Sequence, residues 1–414
     1  MISQRLISLT WSCRLCFSPQ TMILSPRLYL GIFAPAFCPR ATVPALSHPF
    51  TTHNYYSPIM PHHRLHHRSF QVVLDFDGTI TTEDTIEALA QSAIALQNPS
   101  LPHSQLSQTP AAEAWNNCKS QYLADLSAHY EKENQEPSDG GVVTGLGGLE
   151  REQGSLDALR DVEWASVKRV GQSGIFKGLS KESLREKGRA ATAGDPQDGN
   201  DLAVVVREGF PEFVTWIGQI GGQWGIVSVN WSRMWVRGVL DVALEERWVP
   251  SQIDLCNLTT NDINPLTGMI LGWRLDRLSA KRTHLLTTAD KLLAQHKMMF
   301  YGFDIGVSSP EPLTIYIGDS PTDLSPLLHA DIGIIMNSPS STPGALGALI
   351  DKCGYRVLPV SEYEELYRKG EDEKVAILLS VNNFTEIIDS GMLQDEGWDP
   401  TAAKKAWKKA ESES

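Results

Sequence analysis

Val72, Val73 and Leu74 close an unbroken apolar run, and two carboxylates with one residue between them, Asp75 and Asp77, follow it at once. Such a run has no polar face and reads as the end of a buried strand. Gly78 then lets the backbone turn sharply away. Like charges this close repel, so a cation or a proton is expected beside them. Taken alone, the pair is equally an acidic turn, and the rest of the chain has to decide.

From about residue 223 the pattern becomes strands alternating with helices. "QWGIVSVN" reads as a buried strand ending in small polar residues, and "SRMWVRGVLDVALEE" as a helix. "TTADKLLAQHKMM" is a further helix, "LTIYIGDSPTDLSPLLHAD" is strand, turn and helix, and "IGIIM" is another buried strand. This alternation predicts an α/β, Rossmann-like core, a parallel sheet with helices on both faces. Ligands bind at the carboxyl ends of strands in such sheets, where Asp75, Ser228 and Asp319 fall.

The formal charge of -13 argues against general nucleic-acid binding, because a phosphate backbone selects a basic surface. No apolar run approaches the span of a bilayer, so no membrane partner is expected. Six cysteines are scattered without a disulfide framework, which points to a reducing compartment. Cys13 and Cys16 form a pair at metal-site spacing, but no second pair completes it.

Residues 1–70 stand apart. The first acidic residue of the chain is Asp75, while Arg5, Arg14, Arg27 and Arg40 are spread through the leader. This is the composition of a mitochondrial presequence, although its length, its prolines and a later start at Met60 fit a spurious extension equally. The expected location is cytoplasmic, or the mitochondrial matrix if the leader is genuine. His62, His63, His66 and His67 read as a solvated tract.

Between the first strand and residue 215 the chain is mostly helical. Trp115, Cys118, Tyr122, Leu126 and Tyr130 share roughly one helical face, a packing stripe more than a ligand site. Stretches near 134–154 and 181–200 are polar and glycine-rich and read as flexible insertions. "AAKKAWKKAESES" at the end reads as a solvated basic tail, 396–414.

DFDGT at 75–79, Ser228 at a strand end, a lysine opening a helix and GDSPTD at 318–323 together resemble the haloacid dehalogenase superfamily over roughly residues 71–340. The similarity is closest to the phosphoserine-phosphatase-like branch, including fungal hydrolases that carry a T-x-x-D-K-L segment. The resemblance implies a core over 71–83 and 216–395, with a helical C1-type cap at 84–215 inserted after the first strand. It also implies Mg2+-dependent hydrolysis of a small phosphorylated metabolite through an aspartyl-phosphate.

By that resemblance Asp75 is the nucleophile and Asp77 the acid and base. Ser228 hydrogen-bonds a phosphoryl oxygen, a lysine offsets the crowded negative charge, and Thr79 and Asn230 contact substrate. The metal falls to Asp75, the Asp77 carbonyl and Asp319, with Asp323 acting through water or orienting the ligands. The lysine is Lys291, after Asp290, in preference to Lys281. Each residue also has a plain reading: Ser228 as any strand-end serine, Asp319 and Asp323 as a helix cap and a surface acid. A phosphomutase and a catalytically idle binding scaffold are the rival functions. Substrate identity and oligomeric state are not legible.

Overall fold

Strand β1 (Phe70–Leu74) is the apolar run in front of Asp75, and all 5 of its residues are buried in the computed structural model. The structure describes residues 69–135, 143–194, 203–245, 257–275, 282–302, 312–338, 345–369 and 374–413. The leader up to residue 68, Lys281 and residues 195–202 lie outside the described residues.

Among the described residues six helices follow β1: α1 (Ile86–Gln97), α2 (His103–Leu106), α3 (Pro110–Gln135), α4 (Gly145–Ala158), α5 (Arg160–Ser173) and α6 (Lys181–Ala193). The chain then returns through residues 203–207 and enters α7 (Phe210–Gln219), which Gly209 and Pro211 open. Pro at the first turn loses no helical hydrogen bond, because its N–H is one of those the helix cannot satisfy.

Parts of the two stretches expected to be flexible are helical, residues 145–154 and 181–193, while 136–142 and 195–200 lie outside the described residues. In α6, Ser180 caps the start by accepting from Ser183 N at 3.0 Å, and Leu184, Gly188 and Ala191 form a buried stripe in which the last two are small. That stripe lies on α8 (Arg233–Ala243): a Cβ on Gly188 would stand 2.5 Å from the Trp235 carbonyl oxygen, and one on Gly238 2.0 Å from that of Arg185. The backbones therefore touch where side chains are missing. Polar, glycine-containing composition hid this, since the packing surface is made of absent atoms. In α4, Leu149 is buried, with Leu146 and Leu156 packed beside it against the core.

The remaining elements are β2 (Gln223–Val227), the helix α8 above, and β3 (Asn257–Thr259). Short ribbons β4 (Asp262–Ile263) with β5 (Ile270–Leu271) and β6 (Arg274–Leu275) with β7 (Arg282–Thr283) lead to α9 (Thr288–Lys297). Then come β8 (Leu313–Gly318), α10 (Leu324–His329), β9 (Ile332–Met336), α11 (Ala345–Lys352) and β10 (Arg356–Pro359). β11 (Ala376–Val381), α12 (Phe384–Asp389) and α13 (Pro400–Glu413) complete the chain.

Seven strands form one sheet in the order β10-β11-β9-β8-β1-β2-β3, every neighbouring pair parallel. Alternate residues feed two apolar layers: Val72 and Leu74 belong to one, Val73 to the other. This is the Rossmann-like core with a helical insertion after the first strand that the sequence leads one to expect. The basic tail differs from expectation. Residues Pro400–Glu413 are a helix that buries Trp407 against Tyr355 and Tyr367, ring centroids 5.8 and 5.9 Å away. Pro400 and Lys404 are buried beside it, and the Lys404 ammonium donates to Ala330 O.

Candidate active site

β1 lies between β8 and β2, and Leu74 stands opposite both Ile226 and Ile317. Asp75, Ser228 and Asp319 therefore leave three adjacent strands at the same edge. The chain departs from β1 to one side for β2 and to the other for β8, the switch point at which α/β sheets open a crevice. Gly78 turns the backbone at φ +75°, and a Cβ there would come within 2.2 Å of Asp319 Oδ2. Only glycine serves both needs.

Lys291 enters from the first turn of α9. Asp290 fixes that turn, its carboxylate accepting from Leu286 N and Thr287 N, both at 3.1 Å. The Lys291 ammonium is fully buried and donates to Asp75 Oδ2 and Asp323 Oδ1, each at 2.7 Å. Asp323 also accepts from Tyr316 Oη at 2.7 Å and, through Oδ2, from Ser320 N at 3.1 Å and Ser320 Oγ at 2.9 Å. Asp75 Oδ1 accepts from Phe76 N at 2.7 Å.

One carboxylate oxygen from each of Asp75, Asp319 and Asp323 can be chosen so that all three lie within 4.8 Å of one another. Lys291 offsets one of these charges, leaving the cluster two negative charges in excess. Burial, then the neighbouring Asp323 carboxylate, pushes Asp319 up to about 7 and holds Asp75 well above the usual carboxylate range. Burial disfavours the Lys291 charge, but Asp323 and Asp75 outweigh it and keep the ammonium protonated. Hard oxygen donors with an excess of two negative charges fit a divalent cation. Asp323, with four hydrogen bonds already accepted, has the least left to offer it.

Asp77 points elsewhere. Its Oδ1 accepts from Thr85 N at 2.9 Å and Thr85 Oγ1 at 2.6 Å, and its Oδ2 from Asn230 Nδ2 at 2.9 Å. Thr85 stands at the start of α1, whose dipole favours an anion there. Burial nevertheless raises the Asp77 pKa, and the Thr85 and Asn230 hydrogen bonds only oppose it.

Thr79 and Asn230, expected to contact substrate, spend their side chains within the site. The Thr79 hydroxyl is buried and donates to Asp319 Oδ1 at 3.0 Å. Asn230 is fully buried, holding Asp77 by its amide and accepting from Ser232 N at 3.0 Å. Ser228 Oγ is also buried and accepts from Asn230 N at 3.1 Å. Tyr316 and Thr85 were not expected here. A tyrosine inside a buried strand was the available signal, since its hydroxyl needs a partner; Thr85 gave none beyond its place at a helix start.

No family model matches the chain. A CTO1 family protein of Schizosaccharomyces pombe is 27% identical over 270 residues, which is 64% of this chain and 81% of that protein. A phosphoserine phosphatase solved as a phospho-aspartyl intermediate analogue aligns at a TM-score of 0.37 and 14% identity, over 78% of this chain and 98% of its own. A phosphoserine phosphohydrolase-like protein from Francisella tularensis aligns at 0.33 and 13%, over 77% and 98%. Overlap at this level bears on neither substrate nor mechanism, which rest on the atoms of the site.

Proposed function

We propose that the protein is a Mg2+-dependent phosphatase acting on a small phosphomonoester through an aspartyl-phosphate on Asp75. What carries the reading is the contrast between two carboxylates two residues apart. Asp75 is clamped by a buried lysine inside a charge cluster, whereas Asp77 is held outside it by Thr85 and Asn230. Paired acids whose surroundings differ in this way can divide nucleophilic and proton-transfer roles.

In this mechanism the Asp75 carboxylate attacks phosphorus and the ester P–O bond breaks. The departing oxygen takes a proton from Asp77, whose burial favours the protonated form; Oδ2, with a single accepted hydrogen bond, has room for that proton. Asp77 then takes a proton from the water that attacks the phosphoryl group. Phosphate leaves and Asp75 is regenerated. Lys291 balances the charge gathered at Asp75. Ser228, having accepted from Asn230, keeps its own proton to donate to a phosphoryl oxygen. Asp75, the Asp77 carbonyl and Asp319 would hold Mg2+, with Asp323 fixing Lys291 and the surrounding ligands. Bound there, the ion would withdraw charge from the phosphoryl oxygens.

The test is release of inorganic phosphate from an aryl phosphate and a panel of phosphorylated metabolites, with and without a chelator. Asp75→Asn is nearly isosteric, so it is expected to keep the fold and lose turnover. Near wild-type release by that variant would falsify the mechanism. Transfer of the group between substrate positions without release would instead identify a mutase, and no turnover of any kind a binding scaffold.

A further inference from the structure

We infer that Arg207 is a positioning residue: from the segment that returns from the helical insertion, it fixes the Asp75–Thr79 loop against the ends of two other strands. The guanidinium is 3% exposed and donates to four main-chain carbonyls. Nε reaches Thr79 O at 3.0 Å and Nη2 reaches Gly78 O at 2.6 Å. Nη1 bonds Asn337 O at 3.1 Å and Asn382 O at 3.0 Å, the residues that follow β9 and β11. One planar group thus ties the turn between Asp77 and Thr79 to the far side of the sheet. Lysine cannot reproduce this, having a point charge in place of a fork.

The backbone around Arg207 gives the same contact a second use. Arg207 N donates to Ile80 O at 2.8 Å and Thr82 N to Val205 O at 2.9 Å, with Thr81 and Val206 paired antiparallel. The outgoing and returning connections of the insertion are therefore zipped together, and Arg207 sits where the zipper meets the loop. Burial opposes its charge, and the Asp319 and Glu83 carboxylates favour it. The group that holds the loop is thereby coupled to the acidic cluster and to the base of the insertion.

This inference rests on the phosphatase reading for its kinetic arm alone. Arg207→Lys and Arg207→Met are compared with wild type for thermal melting, kcat and KM, and amide hydrogen exchange in peptides spanning 75–82. Misplacing a reacting group by about an ångström costs about 100-fold, so kcat should fall about 100-fold in Arg207→Met and about 10-fold in Arg207→Lys, with KM changed less than about threefold. Exchange should rise selectively in 75–82 while peptides from β8 and β9 keep wild-type protection.

Unchanged exchange in 75–82, uniform loosening of the whole sheet, or turnover within twofold of wild type would overturn the inference. Failure of both variants to fold would overturn it too, making Arg207 a stability determinant only. If wild type releases no phosphate the functional reading fails, while the exchange comparison still decides the role of Arg207.

Discussion

The acidic cluster at the sheet edge and the Trp115 cluster in the inserted helices use similar groups under opposite solvation. At the sheet edge, Lys291 and Asp323 have fully buried side chains at 2.7 Å. In the insertion, Glu87 accepts from Trp115 Nε1 at 3.0 Å and from Lys119 Nζ at 3.0 Å, with the Glu87 and Lys119 side chains 44% and 34% exposed. An exposed pair contributes about 0–1 kcal/mol, because water competes for both partners. Breaking a buried pair costs about 3–5 kcal/mol, because the surviving charge has nowhere to go. The first region is built to hold one geometry, and the Glu87–Lys119 pair of the second can be exchanged for water at little cost.

The largest effect that tests this contrast is at Lys291. Lys291→Met should lower kcat by roughly 150-fold, the equivalent of about 3 kcal/mol for one preorganised charge at a reacting centre. It should also destabilise the metal-free fold, leaving Asp75 and Asp323 without their cation. Lys281→Ala should change turnover little. Phosphate-release kinetics on the two variants settle the comparison, and the reverse ranking would move the lysine role to Lys281.

A smaller effect is expected from pH. Asp319, pushed up to about 7 in the metal-free protein, keeps a proton that the unfolded chain releases near its ordinary value of 3.8. The folded state therefore binds more protons across that window, and this group's contribution to stability is lost as pH rises through about 7. Metal-free protein should melt at a higher temperature at pH 6 than at pH 8. Added Mg2+, which needs the ionised carboxylates, should raise the melting temperature more at pH 8. Asp319→Asn should weaken both trends and leave the same-sign contributions of Asp84, which burial also pushes up to about 7, and of Asp75. Melts that rise with pH in wild type and variant alike would show that other groups dominate.

The same difference in solvation explains what the sequence disclosed. Buried strands leave unbroken apolar runs, and acids at their ends stand out against them. The strand-end placement of Asp75 and Asp319 could thus be anticipated, and the resemblance carried by DFDGT, GDSPTD and a helix-opening Asp-Lys implied that Lys291 joins them. Side-chain direction could not. Whether Asn230 turns to a substrate or to Asp77 depends on α1 arriving with Thr85 beside it, 145 residues away in sequence. Arg207 was invisible for a related reason: its four partners are backbone carbonyls, which any sequence supplies. The helices α4 and α6 and the docking of α13 escaped notice because a few leucines, a stripe containing Gly188 and Ala191, and Trp407 with Pro400 and Lys404 do their packing.

The smallest effect lies where the two regions touch. Trp231 directly follows Asn230, which holds Asp77, and its ring meets Trp115 edge-on at 6.1 Å and Phe176 at 6.4 Å. Trp115→Phe keeps an aromatic ring but removes the buried donor to the half-exposed Glu87, a hydrogen bond to a charged group worth about 1.5–3 kcal/mol at most. The protein should stay folded, with kcat on a small aryl phosphate within about threefold of wild type. Its preference between small and bulky phosphomonoesters should shift by a few fold, because a closing cap contacts the leaving group. Paired kcat/KM values on the two substrate sizes measure this. Equal losses on both would mean that the tryptophan acts through Asn230 on Asp77 and that the insertion does not choose the substrate.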